Sequence, residues 1–295
     1  MSTSADTSQA LTPQCVQSTL RAVNVASVRQ LSPFRYPGGK TWLVPEIRKW
    51  MTRLNVPSLF VEPFAGGAIA SLTVAAERLA DHVVFCEVDH RVAAVWHTIL
   101  EDGDWLCQRI LGFEMTGVGV RTLLEHDPSS RRELAFQTVV RNRVQHGGIM
   151  APGASLMREG ENGRGIRSRW YPRTLVRRIR AIGAIKDRLR FVEGDGFELI
   201  KECLDDPRAT FFIDPPYTAG GKRAGRRLYV HSEIDHELLF AFMARAQGRF
   251  LMSYDGADEV LQMARRHAFH VSTVPMKNTH NEIKFELLIS DQPLT

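Results

Sequence analysis

Short apolar runs separated by polar turns recur from Leu59 onward, and their order predicts the fold. Leu59-Phe60-Val61 leads into Glu62-Pro63-Phe64-Ala65-Gly66-Gly67, residues 68–79 are rich in helix formers, and His82-Val83-Val84-Phe85-Cys86 is a second apolar run. Strand, glycine turn, helix and strand make a βαβ unit, which calls for a parallel sheet with buried strands. Further strand-like runs stand at 190–193, 210–213, 250–253 and 282–290. The stretch between reads as helices over 104–111, 118–125, 131–143 and 174–189, with an aperiodic Gly/Arg-rich run at 147–169. The pattern predicts an α/β domain built from 33–99 and 190–295, interrupted by a mostly helical insertion at 100–189. Residues 1–32 are rich in Ser, Thr, Ala and Gln, which predicts a mobile tail with at most a weak helix near 16–28.

Composition changes this picture little, whereas charge changes it a good deal. At 295 residues, 44% apolar and 24% charged, the chain has the make-up of an ordinary folded protein. No apolar run approaches the roughly 20 residues of a bilayer span, and the first thirty residues lack the core of a secretory signal. Four scattered cysteines (Cys15, Cys86, Cys107, Cys203) show no CxxC spacing, so a reduced, cytoplasmic protein is expected. The net charge is +5, yet residues 141–190 alone hold thirteen Lys/Arg against three acids. Twelve of the thirteen are arginine, whose planar fork suits phosphates and guanine edges, so the insertion is expected to face a polyanion.

Two motifs carry candidate chemistry. The glycine turn at Gly66-Gly67 lets the backbone approach a ligand closely, and Glu87, twenty residues after Gly67, can accept bonds from ribose hydroxyls. Neither GxGxxG nor GxxxxGK[ST] occurs, so dinucleotide and P-loop readings lose ground. The second motif, Phe212-Ile213-Asp214-Pro215-Pro216-Tyr217, ends an apolar run in an acid, two prolines and an aromatic. Prolines stop the strand and leave carbonyls free at its carboxyl edge, where open α/β sheets bind ligands. An acid beside a rigid carbonyl can accept both hydrogens of one exocyclic amine, and a tyrosine ring can stack on a planar base. His231, Asp235, His236 and Glu237 have no spacing that suggests a metal site, and none is expected. Ser253-Tyr254-Asp255-Gly256 reads as a strand end near the target pocket.

Taken together, these residues resemble the S-adenosylmethionine-dependent DNA adenine-N6 methyltransferases of the Dam-like group, over about residues 33–290. Phe34-Arg35-Tyr36-Pro37-Gly38-Gly39-Lys40 is similar to that group's N-terminal cofactor motif, residues 60–68 to its FxGG motif, and Phe85-Cys86-Glu87-Val88-Asp89 to its acidic ribose motif. Glu193-Gly194-Asp195-Gly196-Phe197 then matches the GDF-like motif, Asp214–Tyr217 the DPPY motif, and 250–256 and 284–288 the closing strands. The resemblance implies a class I (Rossmann-like) methyltransferase sheet with a helical, basic insertion for target recognition. It implies that Tyr36 and Lys40 contact the methionine end of S-adenosylmethionine and that Phe64, Gly66 and Gly67 form the floor beneath it. Glu87 would hold the ribose and Asp195 the adenine edge, with Gly39, Glu62 and Asp214 completing the cofactor set. Asp214 and the Pro215 carbonyl would orient the target amine, Tyr217 would stack on the base, and Pro216 completes the catalytic motif.

Tyr36 stands where Dam itself often has Trp, and Glu87 where the motif has Asp; both swaps keep the chemical type. The absence of a Pro-Cys pair disfavours cytosine-C5 chemistry. The implied partner is double-stranded DNA, its target base flipped out of the helix. Arg141, Asn142, Arg143, Arg164, Arg167 and Arg169 in the insertion, and Lys222, Arg223, Arg226 and Arg227 after the DPPY motif, are the expected DNA contacts. A monomer or weak dimer of bacterial or phage type, off the membrane, is implied, and a companion restriction endonuclease is left open. Cytosine-N4 in DNA, adenine in RNA, and a dead enzyme that only binds DNA are the alternatives. Cytosine-N4 enzymes more often carry Ser in place of Asp214.

Overall fold

A computed structural model describes residues 23–55, 57–150, 156–157, 163–216, 234–277 and 283–294. Seven strands form one sheet in the order β3-β2-β1-β4-β5-β7-β6: β1 Leu59–Glu62, β2 His82–Glu87, β3 Leu189–Glu193, β4 Ala209–Ile213, β5 Arg249–Asp255, β6 His270–Lys277 and β7 Ile283–Ser290. β1 through β5 are mutually parallel, and β7 runs antiparallel to both β5 and β6. The chain steps from β1 outward to β3, returns to β4 beside β1, and then moves to the other edge, so β1 and β4 flank the point where the winding reverses.

Alternate strand residues serve opposite faces because the side-chain period in a strand is two. Phe60, Val83, Phe212 and Leu251 pack with Ile47, Trp50 and Met51 of α1 (Val44–Arg53) and Ala70 and Val74 of α2 (Ile69–Glu77). Val61, Val84, Phe211 and Met252 pack on the other face with α7 (Gly196–Cys203), α8 (His236–Arg245) and α9 (Asp258–Arg266).

The inserted helices form a third packed group. Residues of α3 (His90–Gly112), α5 (Arg131–Val144) and α6 (Pro172–Gly183) share one apolar cluster with Phe85 of β2, and α4 (Gly117–Glu125) adds Val120. The expected helix at 104–111 is the second half of α3, which begins in the sheet domain and bends at Asp102 (φ −145°, ψ 46°). The insertion is therefore continuous with the helix that follows β2. The helix expected over 174–189 stops at Gly183, and a 3-10 turn at Lys186–Arg188 leads into β3.

Two expectations change. Residues 23–32 are not a loose tail: Val28 and Leu31 belong to the insertion's core, because the apolar spacing there is enough to dock a short segment. The rest of the expected tail, 1–22, lies outside the described residues. β6 has no counterpart among the predicted strands, since His270-Val271-Ser272-Thr273 dilutes its apolar pattern and Pro275 argues against a strand. As the edge of the sheet, β6 tolerates that proline. No helix among the described residues is long and apolar enough to cross a membrane.

Candidate active site

The loops leaving the carboxyl ends of β1, β2 and β3 are tied to one another before any ligand is considered. The Ala65 amide donates to the Cys86 carbonyl at 2.9 Å, the Gly194 amide to the Glu87 carbonyl at 3.1 Å, and the Trp96 indole to the Gly66 carbonyl at 3.0 Å. Gly66 sits at φ +48°, and a Cβ there would lie 2.5 Å from the Tyr36 ring, so only glycine lets that ring lie across the turn. The Tyr36 hydroxyl in turn reaches the Glu87 carboxylate at 3.5 Å. Together with Asp214 and Pro215 after β4, Tyr36, Ala65, Gly66, Cys86, Glu87 and Gly194 line one cavity of about 1210 Å³ at the reversal point of the sheet, where open α/β folds bind ligands.

Carboxylates dominate the sheet side of this cavity. Glu62 is buried and accepts the Ser71 amide at 2.8 Å; burial pushes its pKa up to about 8, against the pull of that hydrogen bond. Glu87 accepts the Asp89 amide at 2.9 Å, and burial raises it to about 7 while the Asp89, Val88 and Gly66 amides draw it back. Lys40 is the countercharge. Only 3% exposed, its Nζ lies 2.9 Å from Asp214 Oδ1 and 3.6 Å from Glu286 Oε2, and it donates to the Gly38 carbonyl at 3.2 Å. Burial alone would lower the ammonium's pKa; Asp214 and Glu286 outweigh it and hold it above the usual lysine range. Glu286 is itself raised by burial, with Lys40 and the Ser253 hydroxyl, 3.0 Å away, opposing.

Glu286 is a cavity-lining acid that motif reading passed over. The signal was present: a single acid in the terminal strand, on the Lys284, Glu286, Leu288, Ser290 face. Ser253 sits near the pocket as expected and bonds Glu286. Asp195 caps α7 through the Phe197 amide at 2.9 Å and lines the cavity while remaining exposed. Gly39, Phe64, Gly67 and Pro216 line it too.

The expected DNA contacts separate. Residues 141–143 are consecutive on α5, so they point in different directions. Arg141 lines a small separate hollow with His90 and His126. Asn142 is 1% exposed: its side chain accepts the Arg35 amide at 2.9 Å and donates to the carbonyls of Arg35 at 2.8 Å and Gly148 at 3.0 Å. Asn142 is therefore a buried clamp on the loop carrying Tyr36 and not a groove reader, because its helix face meets the sheet domain. Gly148, at φ +74°, allows the same close approach; a Cβ there would fall 2.3 Å from the Arg35 carbonyl oxygen.

Arg143 is buried, donates to the Pro33 carbonyl, and lines the main cavity along with Arg169. Arg164 is exposed outside both hollows, and Arg167 donates to the Met115 carbonyl at 2.8 Å. Tyr217, Lys222, Arg223, Arg226 and Arg227 lie outside the described residues, as does His231 of the acid–histidine group. Among the described residues no three His, Cys, Asp or Glu side chains group as a metal site.

No protein-family model and no curated protein matches the chain. Solved structures similar to it include a provisionally assigned RNA methyltransferase from Pyrococcus horikoshii, with 10% identity over 90% of this chain and 92% of that one and a TM-score of 0.40. An rRNA methyltransferase from Streptomyces viridochromogenes shares 14% identity over 84% of each chain, with a TM-score of 0.38. A precorrin-6y C5,15-methyltransferase from Geobacter metallireducens shares 11% over 83% and 84%, at 0.33. At such values the sheet itself carries the assignment: five parallel strands wound both ways from β1 and β4, closed by one reversed strand. The fold is an α/β, Rossmann-like doubly wound sheet.

Proposed function

We propose that the chain is an S-adenosylmethionine-dependent methyltransferase of the Dam-like group, acting on the exocyclic N6 amine of adenine in double-stranded DNA. The observation that carries this reading is the convergence of the Asp214-Pro215-Pro216 strand end, the Gly66–Gly67 turn and Glu87 on one cavity.

The residues present fit the cofactor by their chemistry. Glu87 offers a carboxylate suited to ribose hydroxyls, Asp195 an acceptor for the adenine edge, and Phe64 and Phe197, with ring centroids 5.9 Å apart, an apolar edge beside them. The cavity exceeds the roughly 300–1,000 Å³ of a single small-ligand pocket, which leaves space for a base as well. When bound, S-adenosylmethionine supplies an electrophilic methyl group on a sulfonium.

An adenine amine attacks poorly because its lone pair is delocalised into the ring. Asp214 and the Pro215 carbonyl would accept hydrogen bonds from its two N–H groups, drawing the nitrogen toward tetrahedral geometry and localising that pair. Lys40, with Nζ 2.9 Å from Asp214 Oδ1, would hold that carboxylate in place as an acceptor. Asp214→Ala is expected to lower methyl transfer by about 10²–10³-fold or more while leaving calorimetric cofactor binding largely intact. Near-normal turnover in that variant would remove Asp214 from the mechanism.

A further inference from the structure

The same cavity has a basic side that the cofactor and target-base roles leave unused. Arg35 comes from the N-terminal loop, Arg143 from α5, Arg169 from the 3-10 turn Gly165–Arg169, and Arg178 from α6, and all four line the cavity. Arg143, Arg169 and Arg178 lie 108 to 143 positions beyond Arg35 in sequence and meet it only through folding; Asn142, bonded to the Arg35 backbone and to the Gly148 carbonyl, ties the segments together. Two of the four have part of their donor capacity already used. Arg143 donates to the Pro33 carbonyl and Arg178 to the Ser32 carbonyl at 2.9 Å.

Other donors remain unmatched. Arg143, only 5% exposed, has a buried Nε without a hydrogen-bond partner, and so does Nη1 of Arg35. The charged groups acting on Arg143 are Arg178, Arg35 and Arg169, all positive; with burial they push its pKa down to about 9. A buried donor left unmatched loses its hydration without recompense, and gathering like charges adds to that cost. An anion with several oxygen acceptors relieves both costs at once, and guanidinium forks match phosphate oxygens two at a time.

We propose that Arg35, Arg143, Arg169 and Arg178 form an anion subsite that holds a phosphodiester of the substrate strand beside the nucleotide being methylated. The proposal rests on the nucleic-acid reading above and deepens it. The strand is favoured over a small anion because the subsite opens beside Tyr171, 48% exposed, and belongs to the stretch with thirteen basic residues against three acids. A phosphate held there anchors the backbone inside the cavity, so half of the substrate site is supplied by the insertion.

Arg143 and Arg178 also brace the loop, so Arg35→Ala and Arg169→Ala are the informative variants, with Arg164→Ala, outside the cavity, as the equal-charge control. Binding of a mixed-sequence fluorescent duplex is measured against salt, S-adenosylmethionine binding by calorimetry, and folding by thermal melt. Each cavity variant, if folded, is expected to lose about tenfold in duplex affinity and about one unit of salt slope, with cofactor affinity unchanged and a smaller loss in the control. Arg35→Lys and Arg169→Lys, which keep the charge, are expected to recover the salt slope but only part of the affinity. Duplex affinity unchanged in both alanine variants overturns the proposal. So does a selective loss of cofactor affinity, which would give the arginines to the cofactor's carboxylate, or tight dAMP binding that the variants lose while duplex binding stays. The nucleic-acid methylation reading fails separately: wild-type protein that binds duplex through these arginines but transfers no methyl group keeps the subsite and loses the reaction.

Discussion

The two sides of the cavity are built on opposite plans. The sheet side gathers acids at the ends of adjacent parallel strands, Glu62, Glu87 and Asp214, with Glu286 from the reversed strand, and sets one buried lysine among them. The insertion side gathers arginines from four separate segments, braced by backbone carbonyls and by Asn142. Strand ends are fixed by the sheet's register, so the acids come from short contiguous motifs. The arginines converge only because α5, α6 and the N-terminal loop pack together. One side is fixed by strand register and ion pairing, while the other leaves buried guanidinium donors of Arg35 and Arg143 unmatched.

Lys40→Met tests the sheet side hardest. It leaves Asp214 and Glu286 without their cation, and a stability loss of about 3–5 kcal/mol is expected in urea unfolding. Because burial raises Glu286, protonation relieves the repulsion, so the loss should shrink as pH falls, and adding Glu286→Gln should recover part of it. Asn142→Ala tests the joint between the sides. Three buried backbone groups lose their partner, and about 1–3 kcal/mol should be lost.

Glu87 gives a smaller, pH-dependent signal. Held near 7, it is partly protonated at neutral pH, and only the carboxylate accepts two hydroxyls. Cofactor affinity should therefore rise by about tenfold from about pH 6 to about pH 8, and Glu87→Gln should be weaker and flat. Arg164→Ala, on an exposed side chain, should change stability by no more than about 0.5 kcal/mol. A large loss there would blur the contrast between bracing and outward-facing arginines.

The sheet side was legible because its residues are neighbours in sequence. Strand β1, the turn at Gly66 and helix α2 follow from local pattern, as do the Asp-Pro-Pro strand end and Glu87. Lys40 was legible from its motif, but its partners were not: Glu286 lies 246 positions away by the numbering of the chain and meets Lys40 only through the β5–β7 pairing. The arginine run marked the insertion as basic without saying which members turn inward. Arg143 and Asn142 differ by one residue, yet one lines the cavity and the other clamps a loop, since a helix turns about 100° per residue. Val28 and Leu31 were hidden by the polar composition around them, and β6 by its edge position and proline.

The central claim is that both sides serve one reaction on an amine of DNA. Transfer from radiolabelled S-adenosylmethionine to unmethylated duplex DNA, followed by nucleoside analysis, tests it most directly. The account predicts label in N6-methyladenine; cofactor binding in the same preparation with no label in DNA would contradict it.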